Sequence, residues 1–133
     1  MDKKSKYFNN FKKYKLFSHK YDKFTKTEMR YLKENNSNAF IWLHGFNDYY
    51  FHHHIGSKLI NDNYDIYSIT LRDYGQTVHE KNKYFVFCID DVDKYIEDID
   101  NNILFINKQK SYEKIILYGH SLGGLVVSNF ILS

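Results

Sequence analysis

The residues best suited to chemistry lie near the end of the chain, in the run Gly119-His120-Ser121-Leu122-Gly123-Gly124. The apolar run from Lys114 to Tyr118 before them predicts a buried strand, and the run from Leu122 to Leu132 predicts a packed helix. Glycines two positions to either side of a serine permit a tight strand-to-helix turn, which lifts the hydroxyl clear of the sheet at the positive end of a helix. This turn, a nucleophile elbow, predicts that Ser121 attacks acyl groups.

An acyl-transfer site also needs hydrogen-bond donors for the oxyanion that forms in the transition state. The backbone N–H of Leu122, directly after the serine, is the expected first donor. An upstream apolar run, Ala39 to Leu43, predicts a strand covered on both faces, and His44-Gly45-Phe46 follows it directly. A His-Gly pair after such a strand often marks the second donor, so we expect the N–H of Phe46 to complete the oxyanion hole.

A serine hydroxyl is a poor nucleophile until a base takes its proton. His120 flanks the serine, but the tight turn directs neighbouring side chains away from each other, so we expect His120 to support the turn and not to act as the base. The segment from Leu122 to Ser133 contains no Asp, Glu or His. The nucleophile is therefore present without an obvious base or acid.

Two clusters of metal-ligand residue types have simpler explanations. Three consecutive histidines, His52 to His54, point in three directions on a helix because successive positions are ~100° apart, whereas ligand pairs on one face need i, i+4 spacing. Asp90, Asp91 and Asp93 crowd the start of a predicted helix, where the helix dipole favours negative charge. We expect no metal and no cofactor.

Strands and helices alternate along the chain, which predicts right-handed crossovers and a parallel sheet. The clearest helix has apolar residues at spacings of three and four, at Ile89, Val92, Ile96, Ile99, Ile103 and Ile106. The predicted order is a strand around Met29–Leu32, strand Ala39–Leu43, a helix from Tyr49 to Ile60 broken at Asn61-Asp62-Asn63, strand Ile66–Leu71, helix Asp90–Asn107, strand Lys114–Tyr118 and the helix after Ser121.

A length of 133 residues with 43% hydrophobic residues allows one core and is too short for two domains. Charge is uneven: residues 1–33 carry ten lysines and one arginine against three acids, a net of +8 in a chain whose total is +3. Residues 1–24 are predicted as a basic arm, either mobile or an edge strand. Such an arm could contact phosphates or an anionic membrane, although a solvated lysine-rich face in an A/T-rich genome explains it as well.

We therefore expect no nucleic-acid partner and at most peripheral membrane contact through the basic arm. Cys88 is the only cysteine, so no internal disulfide can form. No apolar core of signal-peptide length follows Met1. The longest aromatic or aliphatic run, Tyr84 to Ile89, is far shorter than the ~20 residues that span a bilayer. These features predict a soluble, cytoplasmic chain.

Three blocks in order resemble the α/β-hydrolase superfamily: His44 to Tyr49, Leu71 to Gly75 and Gly119 to Gly124. They are most similar to its monoacylglycerol lipase/lysophospholipase and serine aminopeptidase (S33-type) branch, over residues 25–133. The resemblance implies an α/β fold: the amino-terminal half of an α/β-hydrolase domain, a mostly parallel sheet with helices on both faces, ending just after the nucleophile elbow. It also implies that His44 shapes the oxyanion loop and is not the base.

The same resemblance implies hydrolysis of a small carboxylic ester, such as a monoacylglycerol or lysophospholipid, through an acyl-Ser121 intermediate. Relatives place their catalytic acid and histidine after the serine, which predicts that this chain alone is a poor catalyst. Three hypotheses stay open: a truncated or split enzyme that needs a carboxyl-terminal half or self-association, a non-catalytic remnant, or a binding module. Many relatives also have Gly where this chain has Asp73.

Overall fold

The computed structural model describes residues 14–44, 53–74, 77 and 92–132, without the side chains of His53 and His54. Within these residues, five strands form one sheet in the order β1-β2-β4-β3-β5. The strands are β1 (Lys15–Lys20), β2 (Lys26–Leu32), β3 (Asn38–Leu43), β4 (Tyr64–Thr70) and β5 (Lys114–Gly119), and the helices are α1 (His53–Asn61), α2 (Asp93–Gln109) and α3 (Leu122–Leu132).

The sheet is mixed. β3 pairs in parallel with both β4 and β5, as the alternating pattern predicted, so the carboxyl ends of these three strands lie side by side. β2 pairs antiparallel with β4 and with β1, which lies at one edge of the sheet. The connection from β1 to β2 is too short for a parallel crossover, and Asp22 closes it by accepting the backbone N–H groups of Phe24 and Thr25 at 2.7 and 2.8 Å.

Part of the basic segment therefore belongs to the sheet, because β1 lies within residues 1–24. Of the two alternatives for this segment, the edge strand is the one observed for Lys15–Lys20. The strand expected around Met29 begins three residues earlier, at Lys26.

Helices cover both faces of the sheet, as predicted. On one face, α2 and α3 pack over the side chains of alternate strand residues, among them Ile41, Leu43, Tyr67 and Ile69. On the other face, α1 places Ile55, Leu59 and Ile60 against Trp42 and Ile66. This alternation explains why β3 reads as continuously apolar.

Helix α1 ends where the sequence predicted a break. Asn63 has φ 73°, a left-handed conformation that asparagine tolerates better than most residues, and it leads directly into β4. The predicted beginning of this helix at Tyr49 lies outside the described residues. No helix in the described part of the chain is long and apolar enough to cross a membrane.

Helix α2 is rotated relative to the face that its isoleucines predicted. Ile99 and Ile106 are buried as expected, but Ile96 and Ile103 are only partly buried, and Val92, just before the helix, is 40% exposed. The buried face includes two polar residues, Asp98 and Asn102, because each finds hydrogen-bond partners on the sheet side of the helix. Partnered polar groups can be buried at little cost, so the apolar spacing alone did not determine the inner face.

Candidate active site

Ser121 lies in the turn that joins β5 to α3, at the carboxyl end of the parallel strands. The residue is exposed and has φ 55°, a left-handed conformation that costs a non-glycine residue on the order of 1–3 kcal/mol. The surrounding structure maintains this strain: the N–H of His120 donates to the carbonyl of Leu43 at 3.1 Å, tying the turn to the end of β3. The predicted strand-to-helix turn is therefore present at Ser121.

A glycine lies two positions to each side of Ser121, at Gly119 and Gly123, and both allow the backbone to pack closely. A Cβ atom on Gly119 would collide with the carbonyl of Gly123, and a Cβ on Gly123 would lie 2.5 Å from the carbonyl oxygens of both Leu43 and His44. A Cβ on Gly124 would meet nothing closer than 3.3 Å. Glycine is therefore required at positions 119 and 123, where the turn meets itself and the end of β3.

The first turn of α3 presents backbone donors beside the serine. The N–H groups of Gly123 and Gly124 donate to the carbonyls of His120 and Ser121, each at 2.9 Å. The N–H of Leu122, the first residue of the helix, has no backbone acceptor among the described residues. A donor at the positive end of a helix can stabilise a negatively charged oxygen.

His44 follows β3 directly and is buried at 1% exposure. Its Nε2 accepts the backbone N–H of Leu71, the residue after β4, at 3.1 Å, and the ring of Tyr74 packs on the imidazole at 4.6 Å between centroids. Because Nε2 is an acceptor in this bond, it carries no proton and cannot take one while the bond persists. The imidazole thus links the ends of two strands.

The turn after β4 is anchored to α2 by a buried ion pair. Asp98, which is fully buried, accepts the backbone N–H of Arg72 on Oδ2 at 2.9 Å and the Arg72 guanidinium on Oδ1, with contacts of 2.8 and 3.0 Å. The guanidinium also donates to the carbonyl of Lys94 and to Glu97. The next residue, Asp73, has φ 63°, a conformation that aspartate adopts more readily than most residues.

Burial and the ion pair act in opposite directions on the pKa of Asp98, and also on that of Arg72. Burial raises the pKa of the Asp98 carboxyl, and the hydrogen bonds from Arg72 and Tyr21 act in the opposite direction. For the Arg72 guanidinium, burial lowers the pKa, but the hydrogen bonds and charge of Asp98 outweigh it, so the pKa of Arg72 is raised. Arg72 is therefore a permanent cation that needs its carboxylate partner.

The structure brings together most of the residues that the sequence singled out. His44, Gly119, His120, Ser121, Leu122 and Gly123 all lie at the junction of β3, β5 and α3. Gly45 and Phe46, the latter expected to give the second oxyanion donor, lie outside the described residues, as do Asp90, Asp91 and the side chains of His52 to His54.

Sequence reasoning missed Asp98 and Tyr21. Asp98 was one acid among several on a helix rich in acids, and Tyr21 belonged to a segment set apart as a basic arm. No local signal marked Asp98: successive helix positions are ~100° apart, so it lies beside the predicted isoleucine stripe and not on it. No sequence signal pointed to Tyr21.

Comparison with known proteins assigns the chain to a family. A model of the family described as "Serine aminopeptidase, S33" matches residues 34–133, about three quarters of the chain. No curated protein matches the chain significantly.

Solved structures with the same fold are α/β-hydrolases. A thermostable carboxyl esterase from Bacillus coagulans superimposes with a TM-score of 0.74 at 12% identity, covering 88% of this chain and 39% of the esterase. Monoglyceride lipase from Saccharomyces cerevisiae gives 0.66 at 20% identity, with 90% and 38% covered. An esterase from Pyrococcus furiosus gives 0.67 at 17% identity, with 92% and 48% covered. The chain spans less than half the length of each.

Proposed function

The chain belongs to the serine aminopeptidase S33 family of α/β-hydrolases, and we propose that it contributes the nucleophile half of a site that hydrolyses carboxylic esters through an acyl-Ser121 intermediate. The observation that carries the proposal is the strained, exposed turn of Ser121 between β5 and α3, packed against the end of β3. Strain of this kind persists where a function selects it, because a relaxed turn would be more stable. The esterase and lipase neighbours agree with an ester substrate.

In the proposed reaction, the Ser121 hydroxyl oxygen attacks the ester carbonyl carbon while its proton passes to a base. The resulting oxyanion accepts the N–H of Leu122 and, as a second donor, the N–H of Phe46. Collapse of this intermediate expels the alcohol, which takes the proton from the base. Water then attacks the acyl-serine by the same route, releasing the carboxylic acid and restoring the hydroxyl.

The base and its orienting acid are proposed to come from outside these 133 residues. Among the described residues, two histidines lie near Ser121, and neither suits the role: Nε2 of His44 is occupied by the Leu71 N–H, and the side chain of His120 belongs to a neighbour of the serine in a tight turn. A carboxyl-terminal half or a second polypeptide supplying Asp and His would complete the site.

An exposed apolar surface supports this need for completion. Leu125, Ile131 and Leu132 of α3 are 60%, 68% and 84% exposed, and Ile115 and Tyr118 of β5 are also exposed. Apolar surface of this kind on a helix and the adjacent strand is typical of an interaction site. We propose that the completing segment, or self-association, covers it.

Chemical rescue tests the proposal on the chain as it is. The purified chain should turn over p-nitrophenyl esters negligibly, because an oxyanion hole without a base retains only ~10³-fold acceleration over water. Added imidazole, acting as an external base, should produce acylation at Ser121 that mass spectrometry detects.

Two variants control this experiment. Ser121→Ala should abolish the imidazole-dependent acylation, whereas Ser128→Ala should not, because Ser128 is an exposed serine bonded to the carbonyl of Gly124 within α3. Equal acylation of the chain and of Ser121→Ala would overturn the nucleophile assignment and favour a binding module. Rapid Ser121-dependent hydrolysis without imidazole would place the base within these residues.

A further inference from the structure

Within the described part of the amino-terminal segment, Tyr21 contacts the ion pair of Asp98 and Arg72. Its hydroxyl donates to Oδ1 of Asp98 at 2.5 Å and accepts a hydrogen bond from Asn101 at 3.2 Å. The Arg72 guanidinium lies over the Tyr21 ring, 4.1 Å from its centroid. A single tyrosine thus contacts both members of the buried ion pair, by a hydrogen bond to the carboxylate and a cation–π contact to the guanidinium.

The hydroxyl of Tyr21 is held in its donor form. Burial and the bond to the Asp98 carboxylate raise the pKa of Tyr21 well above its ordinary value. The proton therefore stays on the tyrosine at neutral pH.

The Asp98 carboxylate, which Tyr21 contacts, in turn holds the backbone of the turn after β4. Two successive backbone N–H groups of that turn are each held by a side chain: the N–H of Arg72 by Asp98 at 2.9 Å, and the N–H of Leu71 by Nε2 of His44 at 3.1 Å. Since the two groups share one stretch of backbone, a movement of Arg72 relative to α2 changes the direction of the Leu71 N–H.

His44, which holds the Leu71 N–H, also lies against the backbone of the Ser121 turn. The carbonyl oxygens of Leu43 and His44 form the surface against which Gly123 packs, and the Leu43 carbonyl accepts the N–H of His120. His44 and the preceding Leu43 together are therefore in backbone contact with His120 and Gly123, which lie on either side of Ser121.

We propose that Tyr21 is a positioning residue of the Ser121 site: through Asp98, the Leu71–Arg72 backbone and His44, it holds the end of β3 in place beside the serine turn. This inference rests on the proposed function of Ser121. Tyr21 lies in the amino-terminal segment, outside residues 34–133, which match the family model.

The test compares two tyrosine-to-phenylalanine variants of the full chain. Tyr21→Phe keeps the ring over Arg72 and removes only the hydroxyl. Tyr112→Phe is the matched control, because Tyr112 also donates to a buried carboxylate, Asp65, at 2.7 Å, at the other end of the sheet. Both variants lose one tyrosine–aspartate hydrogen bond, but only one of them lies on the path to His44.

The measurement is NMR of the Leu71–His44 hydrogen bond. In Tyr21→Phe we expect the Leu71 amide to exchange about tenfold faster relative to the amides of β3, since one hydrogen bond to a charged group is lost. The coupling across the hydrogen bond between the Leu71 nitrogen and His44 Nε2 should also weaken. In Tyr112→Phe the exchange ratio and the coupling should match the unaltered chain.

An equal change in both variants, or no change in Tyr21→Phe, would overturn the inference, because a merely structural tyrosine alters global stability and not this one bond. Asn101→Ala provides a milder second test in the same direction, since it removes the donor to the Tyr21 hydroxyl. Repeating the measurement in Ser121→Ala separates the two proposals: the bond should respond to Tyr21→Phe whether or not Ser121 is a nucleophile.

Discussion

Two buried aspartates hold loops at opposite ends of the same sheet, and they use different partners. At the carboxyl end, beside Ser121, Asp98 pairs with a cation: both its oxygens accept hydrogen bonds from Arg72, at 2.8 to 3.0 Å. The ion pair anchors the turn after β4 through backbone and side chain together.

At the amino end, Asp65 is equally buried, and its donors within the described part of the chain are all neutral. Its Oδ1 accepts the N–H groups of Glu34 at 2.9 Å and Asn36 at 3.3 Å, and its Oδ2 accepts the hydroxyl of Tyr112. Among the described residues, no lysine or arginine forms an ion pair with it. Asp65 thus holds the loop between β2 and β3 through neutral groups, and the Lys110 ammonium donates separately to the Asn36 carbonyl at 2.6 Å.

The difference between Asp98 and Asp65 shows where the fold depends on charge. A neutral amide can replace a carboxylate that serves neutral donors on one side and a hydroxyl on the other, because a hydroxyl can also accept. It cannot replace a carboxylate whose two oxygens both face donors of an arginine. The end of the sheet that carries Ser121 is therefore the end that tolerates less chemical change.

The largest expected effect is the loss of stability in Asp98→Asn. An amide there must direct its NH₂ group at either the Arg72 N–H or the guanidinium, leaving a buried cation poorly paired, at a cost of about 3 kcal/mol. Glu97, which stays 3.0 Å from the guanidinium, keeps the loss from being larger. Asp65→Asn should cost less than about 1 kcal/mol, since its amide oxygen keeps both N–H groups and its NH₂ can donate to Tyr112. Urea denaturation measures both, and equal losses would remove the distinction.

A somewhat smaller effect is expected from alanine at the glycines of the Ser121 turn. Gly123→Ala places a Cβ 2.5 Å from two carbonyl oxygens at the end of β3 and should lower the free energy of unfolding by about 2 kcal/mol. Gly124→Ala, one residue along the same helix, meets its nearest atom at 3.3 Å and gains helix propensity, so we expect little change or slight stabilisation. Thermal unfolding of the pair measures the difference. Similar losses at both positions would mean that the turn does not press on β3.

The smallest effect, counted per pH unit for a single tyrosine, is on stability at alkaline pH, and it involves both ends of the sheet. Burial raises the pKa of Tyr67 to about 12, and the pKa values of Tyr21, Tyr95 and Tyr112 are raised as well. The folded chain thus keeps phenolic protons that the unfolded chain loses near pH 10, so stability is full below pH 10 and falls as pH rises further.

For the fully buried Tyr67 the decline is at most about 1.4 kcal/mol per pH unit between pH 10 and 12. Denaturation curves recorded from pH 8 to 12 measure it. Tyr112→Phe, at the amino end of the sheet, and Tyr21→Phe, at the carboxyl end, should each make the decline of stability with pH shallower. A stability that stays constant across this range would contradict the raised pKa values.

Much of the architecture could be predicted from the sequence because local patterns specify it. Continuous apolar runs predicted β3 and β5, and the Gly-x-Ser-x-Gly spacing predicted the turn at Ser121 before α3. The left-handed φ of Ser121 and the close packing at Gly119 and Gly123 agree with what that spacing requires. Such features depend on residues a few positions apart, so they can be predicted from one amino-acid sequence.

Long-range pairing could not be predicted in this way. The strand at Lys15–Lys20, the antiparallel half of the sheet and the inward face of α2 depend on which distant residues meet. Tyr21 and Asp98 are 77 positions apart, and neither carries a local pattern that marks it. The sequence by itself determined most of the helices and strands and the Ser121 turn. Only the tertiary structure decided which buried charges and hydroxyls hold that turn, because a polar group is stable inside a protein only beside partners that folding brings to it.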